Sequence, residues 1–191
     1  MQTIGQDLEP ELAACQRQLT AIEHEADRVL DGLTVQQLEW RERDDTWSIA
    51  DCLNHLVVTG NESLPRIRVA MADARSRGLL KRGPFRHGLL GNWLVRAMDA
   101  PPRIKVRAPK AYRPAANAPV SDIRDGFVRL QRELIDAVTE ADGLDLARIT
   151  VTNPVSHWFT LSLGQEFAFT AAHERRHLWQ AARVRDRVVH D

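Results

Sequence analysis

Two cysteines in 191 residues, Cys15 and Cys52, are too few for a disulfide framework and fit a reducing compartment. No apolar run approaches the roughly 18 residues of a membrane span. Net charge is also missing, because 26 Lys and Arg balance 26 Asp and Glu. Bulk electrostatics therefore marks neither a nucleic-acid binder nor a membrane-surface protein. The opening stretch from Met1 to Leu12 is acidic and lacks an apolar core, so no secretory leader is expected. Strand signals are scarce: residues 103–107 alternate and Leu146 to Val151 is β-branched, but both runs are short. What is present is a globular composition, 43% hydrophobic and 27% charged, at about the length of one domain. A single cytoplasmic domain over residues 1–191 is the expectation.

The zero charge hides a segregation. Residues 1–62 carry 4 basic and 13 acidic side chains, whereas residues 75–113 carry 11 basic and one acidic, Asp99. Six of the nine prolines fall between residues 84 and 119. This basic, Pro-rich stretch is the one long interruption in the chain.

On either side the apolar spacing is helical. Leu8, Leu12, Cys15, Leu19, Ile22, Ala26, Val29 and Leu33 alternate by four and three, an apolar seam along one helix face. A second helix should begin at Ser48, with Asp51 completing a capping box. Ile49, Cys52, Leu53, Leu56, Leu64, Ile67 and Met71 form its buried face, and Pro65 should kink it. A third should be capped by Ser121, bury Ile123, Phe127, Leu130, Leu134, Ala137 and Ala141, and stop at Gly143. A fourth should start at Ser162, with Gln165 in the capping-box position, and run through Leu163, Phe167, Ala171, Leu178 and Ala181 to about Val184. Four such helices and almost no sheet predict an all-α four-helix bundle. The connection of about 40 residues between the second and third can cross the bundle end to end, so simple up-down-up-down order is not forced.

Chemistry concentrates in the histidines. His24, His87 and His190 lie off the seams and are read as solvated. His173 and His177 stand four apart, so both imidazoles project from one helix face and can chelate one divalent metal. They also spell His173-Glu174-Arg175-Arg176-His177, formally the H-E-x-x-H of zinc proteases. The continuation fails: Gln180 and Arg183 stand where the metzincin pattern needs Gly and His, and no Glu follows Glu174. A third ligand must come from elsewhere. His55 is the best candidate, two turns into the second helix beside the seam residues Cys52 and Leu56. Cys52 shares that face as a candidate thiolate ligand, although a small seam residue there needs no metal.

Trp47-Ser48-Ile49, then Asn54-His55-Leu56, then the helix with His173-Glu174-Arg175-Arg176-His177-Leu178-Trp179-Gln180, resemble the DinB-like (YfiT-like) superfamily of metal-dependent enzymes. The resemblance runs along nearly the whole chain in order and spacing. It implies an up-down-down-up bundle and a divalent metal, zinc or nickel, held by His55, His173 and His177. Relatives include transferases that use low-molecular-weight thiols such as bacillithiol and a mycothiol-dependent isomerase. Reaction type transfers poorly within such a family.

Three neutral imidazoles leave at least one coordination position open for water or a thiol, whose pKa the ion lowers. A thiol S-transferase-like or hydrolase-like enzyme acting on a small molecule is therefore expected. The competing expectation is a non-catalytic stress-response or binding protein with a structural or vestigial metal. Nucleic-acid binding through residues 75–113 is disfavoured, because Phe85, Trp93 and Tyr112 do not interleave regularly with the basic residues. Glu174 lies about 100° round the helix from His173, so an acid–base role and a surface pairing with Arg175 both stay open. His157, Trp158 and Phe159 either border the mouth of the site or pack on the bundle end. Arg103, Lys105 and Arg107 either lie on the acidic face of the first helix or border that mouth and grip a carboxylate-bearing thiol. The resemblance implies a homodimer, and the two charged segments could pair within one chain or between two.

Overall fold

The computed structural model describes residues 7–102, 108–115, 118–152 and 160–190. It is mostly helical: α1 (Pro10–Leu30), α2 (Val35–Glu39), α3 (Ile49–Ser76), α4 (Leu89–Met98), a 3-10 turn (Lys110–Tyr112), α5 (Val120–Glu140) and α6 (Leu163–His190). Between α5 and α6, β1 (Thr150–Thr152) pairs antiparallel with β2 (Thr160–Ser162), Val151 opposite Leu161.

The four long helices close a ring in which α1 and α3 each pack against both α5 and α6. Contacts along α3 and α5 climb together. A Cβ on Gly60 would stand 2.4 Å from Leu130, Arg68 pairs with Glu133 at 3.2 Å, and Arg75 donates to the Glu140 carbonyl. The same holds for α1 and α6, where Arg175 donates to Gln18 at 2.6 Å and Arg185 to the Val29 carbonyl at 2.8 Å. Across α1 and α5 the order reverses: Glu9 N–H donates to Asp142 at 3.2 Å, and Gln16 to Thr139 at 3.4 Å.

The seams are the core. From Leu12 to Val29 on α1, Ile49 to Met71 on α3, Ile123 to Ala141 along α5 and Leu163 to Ala181 on α6, the apolar positions named above are buried in one cluster. The Ser48 capping box forms as expected, with Asp51 N–H donating to Ser48 Oγ at 3.0 Å and Ser48 N–H to Asp51 at 2.9 Å. So does the box between Ser162 and Gln165. Gly143 takes φ +81°, a left-handed turn that ends α5 where other residues would be strained. The helix runs unbroken through Pro65.

Three expectations need correction. Ser121 does not cap α5, which begins at Val120 with Pro119, two residues before Ser121, as its cap; the Ser121 hydroxyl bonds Asp122 instead. The last helix continues past Val184 to His190, and Arg185 ties that extension to the end of α1 by donating to the Val29 and Asp31 carbonyls, each at 2.8 Å. His87 is not solvated: its ring joins Ser162 at 2.8 Å and Glu11 at 2.9 Å. His24 is exposed, as expected. The long connection, read as an interruption, contains α4, an apolar helix laid along α6. Asp99 at its end forks onto Arg175 at 2.9 and 2.8 Å. Two basic residues meet the end of α5: Arg82 pairs with Asp142, just past that helix, at 2.6 Å, and Arg75, in the last turn of α3, donates to the Glu140 carbonyl, whereas Arg77 pairs with Asp73 of its own helix at 3.0 Å. Arg103, Lys105 and Arg107 lie outside the described residues.

Candidate metal centre

α3 and α6 meet at three imidazoles. His55 sits on the second turn of α3, and its position is set by the Ser48 cap about two turns earlier. His173 and His177 project from one face of α6 because four residues make just over one turn. Their ring centroids lie 4.5 to 5.0 Å apart in all three pairs, and one nitrogen from each falls within 4.8 Å of the others. His55 Nε2 stands 3.1 Å from His173 Nε2. Among the described residues this is the one cluster of His, Cys, Asp or Glu able to hold a metal ion.

The tautomer of His55 follows from its neighbour. Its Nδ1 contacts the Tyr112 carbonyl oxygen, which can only accept, so Nδ1 carries the hydrogen. The Nε2 lone pair then points into the cluster. A carbonyl behind a histidine is the usual device for orienting a metal ligand. Asn54, the residue before, holds the same segment by donating to the Ala115 carbonyl at 2.9 Å. Trp47 packs on His55 and His177 with centroids 4.9 and 5.4 Å away, and Phe169 lies nearly parallel to His173 at 6.1 Å. The rings are thus wedged as well as bonded.

Burial keeps these rings neutral. Loss of water, reinforced by His55 and the Arg176 charge, pushes His173 down to about 3. Loss of water, then His173, His55 and Arg176, takes His177 to about 2. Burial lowers His55 too, against the Tyr112 contact. Neutral imidazole is the form that donates a lone pair to a metal.

The donors fit an ion. A tetrahedral zinc with Zn–N of about 2.0–2.1 Å needs nitrogens about 3.3 Å apart, close to the observed 3.1 Å. His177 Nδ1 is buried without a hydrogen-bond partner among the described residues. A polar atom left so is costly unless something satisfies it.

Two expected participants face elsewhere. Cys52 is fully buried in the core with its thiol pushed far up by burial, and it is not part of the cluster. Glu174 is not a surface residue, and the Arg175 guanidinium forks onto Asp99. Its carboxyl is buried, takes a 2.8 Å bond from Gln131 of α5, and is pushed up to about 8 chiefly by burial. It therefore lies on another face of α6. His157, Trp158 and Phe159 fall outside the described residues. The sequence pattern did not reveal Tyr112 as a partner, because a backbone carbonyl carries no residue signature. Phe169 was legible only as one helical turn before His173.

A mostly helical chain with three histidines converging from two helices is a candidate metal-binding protein built from long helices. Comparison with protein families matches residues 18–181 to the DinB superfamily, and the chain belongs to that superfamily. No curated protein and no solved structure matches it. No described helix is long and apolar enough to cross a membrane.

Proposed function

We propose that this protein is a metal-dependent enzyme in which His55, His173 and His177 hold one divalent ion, zinc or nickel, that activates a thiol or a water. The observation that carries this reading is the convergence of three neutral imidazoles, one of them with its lone pair aimed inward by the Tyr112 carbonyl. The ion, when bound, supplies Lewis acidity that lowers the pKa of a thiol or water at the remaining position. The chain's own part is to hold three lone pairs in place, to exclude water behind Trp47 and Phe169, and to keep protons off the rings. Three protein ligands leave a position free, which favours catalysis over a closed structural site.

The reaction class proposed is thiol S-transfer or hydrolysis on a small molecule in the cytoplasm. The contact order supports an up-down-down-up four-helix bundle within a single domain: numbering climbs together along α3 and α5 and along α1 and α6, and reverses between α1 and α5. A homodimer is proposed from the charge segregation alone, and a light-scattering mass near 21.6 kDa at low salt would reject it. The function is tested by loading the protein with zinc or nickel and titrating a panel of low-molecular-weight thiols. Thiolate formation at neutral pH in the wild type, lost in His55→Ala, is the expected result. A metal-loaded protein that neither deprotonates a thiol nor hydrolyses any ester or amide would favour a non-catalytic role.

A further inference from the structure

At the start of α6, about 16 Å along the helix axis from His173 by its 1.5 Å rise per residue, a second histidine makes a chain of its own. His87 Nδ1 stands 2.8 Å from Ser162 Oγ, and His87 Nε2 stands 2.9 Å from Glu11 Oε1. An ionised carboxylate only accepts, so in the neutral ring Nε2 carries the hydrogen and Nδ1 offers its lone pair to the hydroxyl. Hydroxyl, base and orienting acid are each within hydrogen-bond reach of the next, which is the geometric signature of an activated nucleophile. Three separate parts of the chain supply them: the first turn of α1, the connection, and the β2–α6 junction.

The surroundings are shaped for this contact. A Cβ on Gly164 would lie 2.4 Å from Glu11 Oε1 and 2.7 Å from His87 Cε1, so the absent side chain is what admits the pair. A cavity of about 220 Å³ opens beside Glu11 and His87, which line it together with Asn92, Arg96, Gly164 and Gln165; Ser162 adjoins it through His87 rather than lining it. Gln165 fixes its wall by donating to the Gly88 carbonyl at 2.7 Å and to Asn92 at 2.9 Å. Ser162 is only 8% exposed, which shields the hydroxyl from bulk water. It also caps a 28-residue helix, whose positive end favours negative charge on its oxygen.

We propose that Ser162 is a nucleophile toward small carboxylic esters, with His87 as its base, Glu11 orienting that base, and the cavity receiving the acyl group. The Oγ–carbonyl carbon bond forms while the Oγ proton moves to His87 Nδ1. Collapse breaks the bond to the alkoxy oxygen, which takes that proton and leaves as the alcohol. Water then repeats the sequence and releases the acid. Arg96, on the same cavity, is the cation available to the oxygen that gains charge. This activity does not depend on the histidine cluster of α3 and α6.

A fluorophosphonate reporter tests it, since Ser162 would displace fluoride and keep the phosphonyl group. The full chain is treated with and without its metal, and the adduct is mapped by peptide mass spectrometry. One equivalent on Ser162 in both forms is expected. Ser162→Ala should take no label, and His87→Ala should react at least about 100-fold more slowly, the lower end of general-base effects. Glu11→Gln, which keeps the size of the side chain, serves as the second variant and should also slow labelling while circular dichroism stays native. Absence of label on Ser162 in the folded wild type overturns the proposal. So does a wild-type rate in either folded variant, or labelling that disappears with the metal. A histidine that merely tied the connection to the helix ends would give one of those results.

Discussion

Two faces of one stretch of α6 carry buried ionisable groups, and burial treats them in opposite ways. His173 and His177 face α3, where loss of water drives them to the neutral base. Glu174, between them in sequence, faces α5, where the same loss drives it to the neutral acid. A neutral imidazole keeps the lone pair that a metal requires, whereas a neutral carboxyl has surrendered its charge. The histidine face is completed by His55 and by the carbonyl behind it. The glutamate face is left incomplete: Glu174 Oε2 and Gln131 Oε1 are both buried without partners among the described residues. A five-residue string that looks like one catalytic motif is therefore split by helix geometry into a histidine pair facing α3 and a glutamate facing Gln131 of α5.

The sharpest way to break this comparison is to remove ligands from one face. His173→Ala and His177→Ala should each weaken zinc binding by more than about 100-fold, beyond the 10–100-fold typical of outer-shell partners. Isothermal titration measures it, and a Glu174→Gln variant of equal effect would erase the distinction between the faces. Next in size is the support behind His55. Asn54→Ala removes the bond to the Ala115 carbonyl and should loosen the segment that bears Tyr112, costing about 10-fold in metal affinity by the same outer-shell scale.

The third expectation is a small change. Because His173 and His177 sit at about 3 and about 2, protons scarcely compete with metal between pH 7.5 and 5.5. Affinity should move less than about 3-fold, whereas three imidazoles at the ordinary 6.5 would lose roughly a thousand-fold by pH 5.5. A steep loss would mean that the rings take up protons and the site is wet. The apo protein should show the cost elsewhere. The unfolded chain gains protons below pH 6.5 that the folded rings refuse, so stability falls as the medium is acidified toward pH 3.

The smallest effect on metal belongs to Glu174→Gln, which should leave affinity near wild type yet change stability. The folded carboxyl holds its proton to about pH 8, while the unfolded one releases it near 4.5. Wild-type stability accordingly declines across that window as pH rises, and the variant lacks the decline. At pH 8.5 the variant should be more stable by about 1–3 kcal/mol, the range for a buried group left unsatisfied. Thermal melts at pH 5 and 8.5 would show it, and equal melting at both values would contradict the burial assigned to this residue.

Much of this was legible in the sequence because helices advertise themselves by period. The seam from Leu12 to Val29 and the boxes at Ser48 and Ser162 depend on spacing of three and four residues, which the chain displays directly. The pairing of His173 with His177 depends on the same period. His55 was reachable only as a flank of a seam, and the structure brings it to the other two. The α4 helix was hidden by the prolines around it. His87 looked solvated since its partners, Glu11 and Ser162, are remote in sequence and neither lies on a repeating pattern. The inward turn of Glu174 depended on a single Gln of α5, a residue with no distinguishing period.

One contact from the fold bears on how this molecule can change. Gly60 lies five residues after His55 on α3, and a methyl group there would overlap Leu130, itself 1% exposed and unable to swing out to solvent. The distance between α3 and α5 is consequently gauged by a missing atom. Added length can accumulate in the connection, where chain has room, but added thickness at this crossing has nowhere to go except into a displacement of α3. Such a displacement would shift His55 against His173 and His177, coupling the calibre of the helix ring to the spacing of its three nitrogens.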